Sequence, residues 1–249
     1  AGLLYDLTPE YTAYVSYTDI FKPQSNRDSS RKYLDPVVGS NYEVGLKGSL
    51  LEERLNVATA LFWSKQDNVA EVDNSVPPDP VTREKFYKSG GKGNKVSGFE
   101  AEVSGEILNG WNMTAGYTYT HSANGEQQRT NENQPLNMLR VSTAYRLPGE
   151  WQALTVGGAV NWQSRIFGDS NRPIGRDAEG EFITENTKIH QGAYTVVKLM
   201  SRYAIDKNLS ASLNVDNLFD KKYYENVGFY NGVYWGDPRT VTVSLDWKL

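Results

Sequence analysis

The sequence predicts an all-β protein, an antiparallel sheet closed into a membrane-spanning barrel, on three observations. Long segments alternate apolar and polar residues with period two, the connections between them alternate strictly between short and long, and charged side chains gather on the face opposite the aliphatic and aromatic ones. The chain of 249 residues has room for one large β-domain or two smaller ones. Its mean hydropathy is −0.58. No stretch approaches the roughly eighteen uninterrupted apolar residues of a membrane helix, so any crossing must be made by strands.

About ten segments carry the alternation. In chain order they are YTAYVSYTDIF from Tyr11, NYEVGLKGSL from Asn41, LNVATALFWSK from Leu55, FEAEVSGEI from Phe99, WNMTAGYTYT from Trp111, LRVSTAYRL from Leu139, ALTVGGAVNWQSR from Ala153, AYTVVKLMSRYAI from Ala193, LSASLNVDN from Leu209 and the terminal stretch from Thr240. The clearest cases sort completely. Trp111, Met113, Ala115, Tyr117 and Tyr119 oppose Asn112, Thr114, Gly116, Thr118 and Thr120, and Val241, Val243, Leu245, Trp247 and Leu249 oppose Thr240, Thr242, Ser244, Asp246 and Lys248. The opening LLYDL reads as the end of a strand followed by a turn at Thr8 and Pro9.

The short connections, residues 51–54, 108–110, 147–151 and 206–208, have the Gly, Pro, Asn and Asp content of tight turns. Between them lie long polar segments at 22–40, 67–95, 121–137, 168–192 and 218–238. A soluble sandwich has no reason to sort its loops this way, whereas an outer-membrane barrel has short periplasmic turns and long extracellular loops. Alternation alone fits a soluble barrel with an apolar lumen equally well. The charged face, with Glu43, Lys47, Glu100, Glu102, Glu106, Arg140, Arg146, Asp246 and Lys248, and aromatics near strand ends favour the lipid-facing arrangement.

Composition narrows the function classes. The net charge of −4 and the scattered 26 Lys and Arg exclude the basic stripe of a nucleic-acid binder. The absence of Cys removes disulfides, thiolate catalysis and Cys-based zinc sites. His121 and His190 lack metal-ligand spacing and read as loop residues, and Gly90, Gly91 and Gly93 lack the strand and helix that would frame a phosphate loop.

The wording of the chain resembles the C-terminal barrel part of TonB-dependent outer-membrane receptors, in their ferric-siderophore branch. The stretches that carry this are YVSYTDIFKPQS at Tyr14, LDPVVGSNYEVGLKG at Leu34, ATALFWSKQDNV at Ala58, VSGFEAEVSGEILNGWNMTAGYTYT at Val96, YRLPG at Tyr145, YTVVKLMSRYAIDKNLSASLNVDNLFDKKYY at Tyr194 and YWGDPRTVTVSLDWKL at Tyr234. The resemblance implies a barrel of 22 strands, of which residues 1–249 are expected to be the C-terminal portion, with the N-terminal plug and energy-coupling box outside them. It also implies loops that capture a ferric siderophore, expected on general resemblance to be of hydroxamate type, and uptake energised by TonB through the plug. Outer-membrane lipid and the barrel assembly machinery are the further partners implied. No cofactor is expected, because the siderophore itself ligates the iron. Leu249 stands where the family ends in an aromatic residue, although Trp247 keeps a ring on that face.

Ligand-binding candidates follow from residue chemistry. FYNGVYWGDP gathers Phe229, Tyr230, Tyr234 and Trp235 around Asn231 and Gly232, rings suited to a bulky, partly apolar chelate or to anchoring their own loop. NWQSRIFGDSNRP sets Gln163, Arg165 and Phe167 on the lumen parity at the outer end of a strand, with Arg172 beyond; an Arg there can pair with anionic chelate oxygens or with a lumen carboxylate such as Glu100. Asn217, Asp220 and Tyr223 of NLFDKKYY read first as turn chemistry. Two competing functions remain open at this level. A free-standing ten-stranded protease would draw His121 together with Asp67 or Asp73 to activate a water, and a soluble all-β binding module would need no membrane.

Overall fold

The computed structural model describes residues 1–90, 93–130, 132–178, 180–228 and 232–248. These form two units: Ala1–Gly48, Thr59–Phe99 and Thr120–Asn131 make the first, and Ser49–Ala58, Glu100–Tyr119 and Glu132–Leu249 the second. The first unit begins with β1 (Gly2–Asp6), β2 (Tyr11–Lys22) and β3 (Val37–Leu50), continues into β4 (Leu55–Asp67), and carries the small hairpin of β5 (Ala70–Val72) and β6 (Tyr87–Ser89) in the long connection that follows. Part of β7 (Asn94–Leu108) and part of β8 (Trp111–Ala123) complete its sheet.

The second unit takes the remaining parts of β4, β7 and β8 and adds β9 (Asn137–Arg146), a single 3-10 turn at Gly149–Trp151 and β10 (Leu154–Gln163). The hairpin of β11 (Ile166–Arg176) and β12 (Phe182–Gln191) follows, then β13 (Tyr194–Ala204), β14 (Leu209–Asp216), the hairpin of β15 (Tyr224–Val227) and β16 (Val233–Trp235), and β17 (Thr240–Trp247). Its sheet runs β4-β7-β8-β9-β10-β13-β14-β17, so the β11/β12 and β15/β16 hairpins are excursions between neighbouring sheet strands.

Register turns the alternation into faces. Trp111 lies opposite Tyr145 and Tyr145 opposite Val156, while Val141, Val160 and Val197 form a parallel row. Ala211, Leu213 and Val215 meet Leu245, Val243 and Val241. This face lies open: Val243 is 72% and Leu245 71% exposed. Leaving such side chains in water would forgo about 1.5–3 kcal/mol each, which favours an apolar surrounding for this face over the soluble module. The other face is polar and internally paired. Lys198 Nζ sits 2.6 Å from Asp216 Oδ1, Arg202 donates to Ser210 Oγ at 3.0 Å, and Tyr14 donates to Glu43 at 2.6 Å with Lys47 5.1 Å above its ring. Gly45, directly across from Tyr14, leaves the room that ring occupies.

As expected, the opening residues form a strand end, β1, paired with β2 from Gly2↔Ser16 to Asp6↔Thr12, and the turn that follows is closed by Tyr11 N–H donating to Thr8 Oγ1 at 3.1 Å. Several other expectations change. The long segments 67–95, 168–192 and 218–238 each contain a hairpin. His121 lies on β8 and His190 on β12, not in loops. The strand from Ala153 does not run on to Phe167: β10 stops at Gln163, where Ser164 N–H donates to Asn137 O at 2.9 Å and Ser164 Oγ accepts from Asn137 N–H at 3.1 Å. Gly91, Phe229, Tyr230, Asn231 and Leu249 lie outside the described residues.

Candidate ligand-binding site

The site assembles where the two hairpins of the second unit meet. On β11 the residues alternate between two environments. Ile166, Gly168 and Ser170 are buried, while Phe167 and Asp169 point to the other face beside their partners His190 and Lys188 on β12. The buried side rests on β15. Ile166 and Val227 are the fully buried large side chains among the described residues, so the deepest apolar burial lies in the hairpins rather than in the main sheet. A Cβ on Gly168 would come within 2.5 Å of Val227 O and 2.9 Å of Gly228 Cα, and Gly228 itself has φ +84°. Two glycines thus let the hairpin backbones touch. Gln191 Oε1 completes the junction by accepting the Tyr224 N–H at 2.7 Å.

The open side of β11/β12 is an ionic and aromatic cluster. Lys188 Nζ lies 4.7 Å from the Phe167 ring centroid, 2.8 Å from Glu132 Oε2 and 3.9 Å from Asp169 Oδ1. The hydrogen bond to Glu132 raises the Lys188 pKa above its ordinary value, so the ammonium keeps its proton and its partners. His190 lies tilted against Phe167 with ring centroids 5.7 Å apart. Periodicity gives no sign of Glu132, Asp169 or Lys188, because they lie in the long polar segments 121–137 and 168–192, whose residues do not sort into faces.

On β15/β16, Tyr224 and Trp235 pack with centroids 4.5 Å apart, and Tyr234 and Trp235 remain exposed. Of the sequence candidates, the structure places the Tyr234–Trp235 hairpin at the junction with β11, while the Phe167 ring lies on the face of β11 turned away from it. Gln163 ends β10 opposite Tyr194. Arg165 follows it, exposed, with no ion-pair partner among the described residues, Glu100 included; Arg172 instead holds Glu185 at 2.9 Å. The lumen parity expected for Arg165 and Phe167 does not apply, since both lie past the end of the sheet strand.

NLFDKKYY has a structural task. Asn217, 3% exposed, donates through Nδ2 to Lys221 O and Asp237 O, both at 2.9 Å, and accepts the Lys221 N–H at 2.8 Å. Asp220 accepts from Arg239 N–H at 3.1 Å, and Tyr223 stacks on Tyr194 at 4.2 Å. Burial raises the Tyr223 hydroxyl pKa. The protease pair also dissolves: Asp73 is engaged by Ser75 Oγ at 2.6 Å and Asp67 by Lys65 at 2.9 Å.

The family described as TonB dependent receptor-like, beta-barrel matches residues 1–218. The chain belongs to this outer-membrane family. It is 44% identical to the ferric-pyoverdine 358 receptor of Pseudomonas putida over 98% of its own length and 28% of that receptor. It is 41% identical to the ferripyoverdine receptor of Pseudomonas aeruginosa over 99% of its length and 29% of that protein. The crystal structure of the P. aeruginosa ferripyoverdine receptor bound to ferripyoverdine superposes with a TM-score of 0.88 at 40% identity, covering 99% of this chain and 32% of that one. The chain thus spans under a third of these relatives. They are receptors, not enzymes, which removes the protease reading.

Proposed function

We propose that residues 1–249 form the C-terminal portion of the barrel of a receptor that captures a ferric siderophore of the pyoverdine class, with import energised by TonB through a plug lying outside these residues. The observation that carries this reading is the identity of 44% to a ferric-pyoverdine receptor across nearly the whole chain. The hydroxamate expectation draws no support from these names, and pyoverdine takes its place. Barrel assembly would be served by the same machinery as its relatives, with Trp247 as the aromatic near the end of the apolar face.

In this reading the two packed hairpins make part of one wall of the pocket. The exposed rings of Tyr234 and Trp235, with Phe167 on the neighbouring hairpin, supply area for an organic chelate, Arg165, which has no ion-pair partner among the described residues, supplies a cation for its acidic groups, and Gln163 offers a polar contact at the strand end. Lys188, already shared between two carboxylates, serves Phe167 rather than the ligand. The test is fluorescence-quenching titration of the full-length receptor with a panel of ferric pyoverdines and ferric hydroxamates. Alanine at Tyr234 or Trp235 is expected to weaken pyoverdine binding by about 1–3 kcal/mol. Unchanged affinity for every chelate that supports uptake, in a folded variant, removes these residues from the pocket.

A further inference from the structure

We infer that the apolar face of the second unit holds a groove built for one acyl chain of a membrane phospholipid. A cavity of about 690 Å³ opens on this face between Trp111, Tyr145, Val156, Val160 and Leu199. It follows from the register of three cross-strand rows. Trp111, Tyr145 and Val156 form one flank, Ala115, Val141, Val160 and Val197 the other, and Met113, Thr143, Gly158 and Leu199 the row between. The middle row holds a hydroxyl-bearing side chain and a glycine where its neighbours hold branched or aromatic ones. The gap is kept open by the backbone, because a Cβ on Gly158 would come within 2.6 Å of Lys198 O.

The indole and the threonine hydroxyl bordering the groove are satisfied within the sheet. Trp111 Nε1 donates to Thr143 Oγ1 at 2.7 Å, and the Thr143 hydroxyl donates to Asn112 O at 3.0 Å. Apart from the Tyr145 hydroxyl in the end row beside Trp111, what faces outward is ring, methyl and methylene surface, which selects a hydrocarbon occupant over a ligand needing many hydrogen bonds. The groove is also continuous with the band that meets lipid. Its rows run from Trp111, just past the short turn at 109–110, to Ala115, about 13 Å at 3.3 Å per residue. At a strand tilt near 40° that is about 10 Å of height, under half of an apolar band some 25 Å tall, so the groove stays within one leaflet, the one at the short-turn end, and suits a single chain entering from that interface. The inference rests on barrel membership and not on the choice of siderophore.

The test is native mass spectrometry of the full-length receptor released from lipid in mild detergent, with folding checked by circular dichroism. The wild type is expected to retain one phospholipid. Val160→Trp, which fills the groove, is expected to lose it, and Val243→Trp, on the same face but outside the groove, to keep it. Retention by Val160→Trp equal to wild type, a wild type without bound phospholipid, a lipopolysaccharide in its place, or a second copy of the receptor bound there overturns the inference. Should Val160→Trp fail to assemble, vesicles of acyl-brominated phosphatidylcholine decide: the emission lost in Trp111→Phe is expected to be the part most strongly quenched in the wild type, and weaker quenching there than for the remaining tryptophans overturns it.

Discussion

Placing Arg at Val243 tests which face of the sheet meets lipid and how deep each row sits. Val243 lies four residues before Trp247 on β17, opposite Leu213. At about 3.3 Å per residue and a strand tilt near 40°, that is about 10 Å above the ring level. An apolar band about 25 Å tall puts its midplane about 12 Å from either edge, so Val243 is close to the centre. Arg there is expected to cost about 2–4 kcal/mol. At Leu245, about 5 Å above the rings, the cost falls to about half that as the guanidinium snorkels. At Ser244, which faces Ser212 on the polar side, it is expected to be within about 0.5 kcal/mol of zero. Reversible denaturant unfolding of the full-length receptor in phospholipid bilayers measures all three. Equal losses at positions 243 and 244 would refute the assignment of faces, and equal losses at 243 and 245 would refute the depth.

Further outcomes follow from other contacts. Gly168→Ala drives a methyl into Val227 O and is expected to part the hairpins at a cost of about 1–3 kcal/mol, seen as faster amide exchange over 224–235 with β9 and β10 unchanged; unchanged exchange would deny the junction its role. Asn217→Ala strands the Lys221 N–H and leaves Asp237 O without its donor, for an expected loss of about 1–3 kcal/mol in the same unfolding assay, and a loss below a few tenths would show water replacing the amide. Asp79 accepts the Thr82 and Val81 N–H groups and the Arg31 guanidinium, which hold its carboxyl below the usual value. Because the folded value is depressed, its contribution is complete above about pH 4 and is lost as pH falls through the folded value. Limited proteolysis of residues 73–86 should therefore be constant from about pH 7 to 5 and rise below about pH 4; cleavage already increasing at pH 5 would contradict the linkage.

The sheet strands were legible because each carries one face against lipid and one against polar groups, so the pleat writes period two directly into the residues, as Trp111 to Thr120 shows. The hairpins were not. Along β11 the buried side is Ile166, Gly168 and Ser170, a series with a single aliphatic, and β5, β6 and β16 have three residues each, too few for a period to show. The misread end of β10 has a different cause. No Gly or Pro interrupts Asn161 to Phe167, while the stop is imposed by Asn137, which is 27 positions away in sequence from Ser164. Aromatic composition marked the β15/β16 hairpin correctly, yet the glycine pair that seats it against β11 becomes visible only when both backbones are placed.

The Asn217 hub bears on how the last strand finds its place. β14 and β17 are held from Leu209↔Trp247 to Asp216↔Thr240, and a slip of a single residue would turn Val241, Val243 and Leu245 from the apolar to the polar side. In a membrane that error removes the solvent for the whole row at once. Asn217 and Asp220, immediately past β14, hold Asp237 O and the Arg239 N–H, immediately before β17. These bonds can form in one alignment only, so the intervening segment of more than twenty residues behaves as a ratchet with a single tooth, admitting β17 to the sheet already in phase.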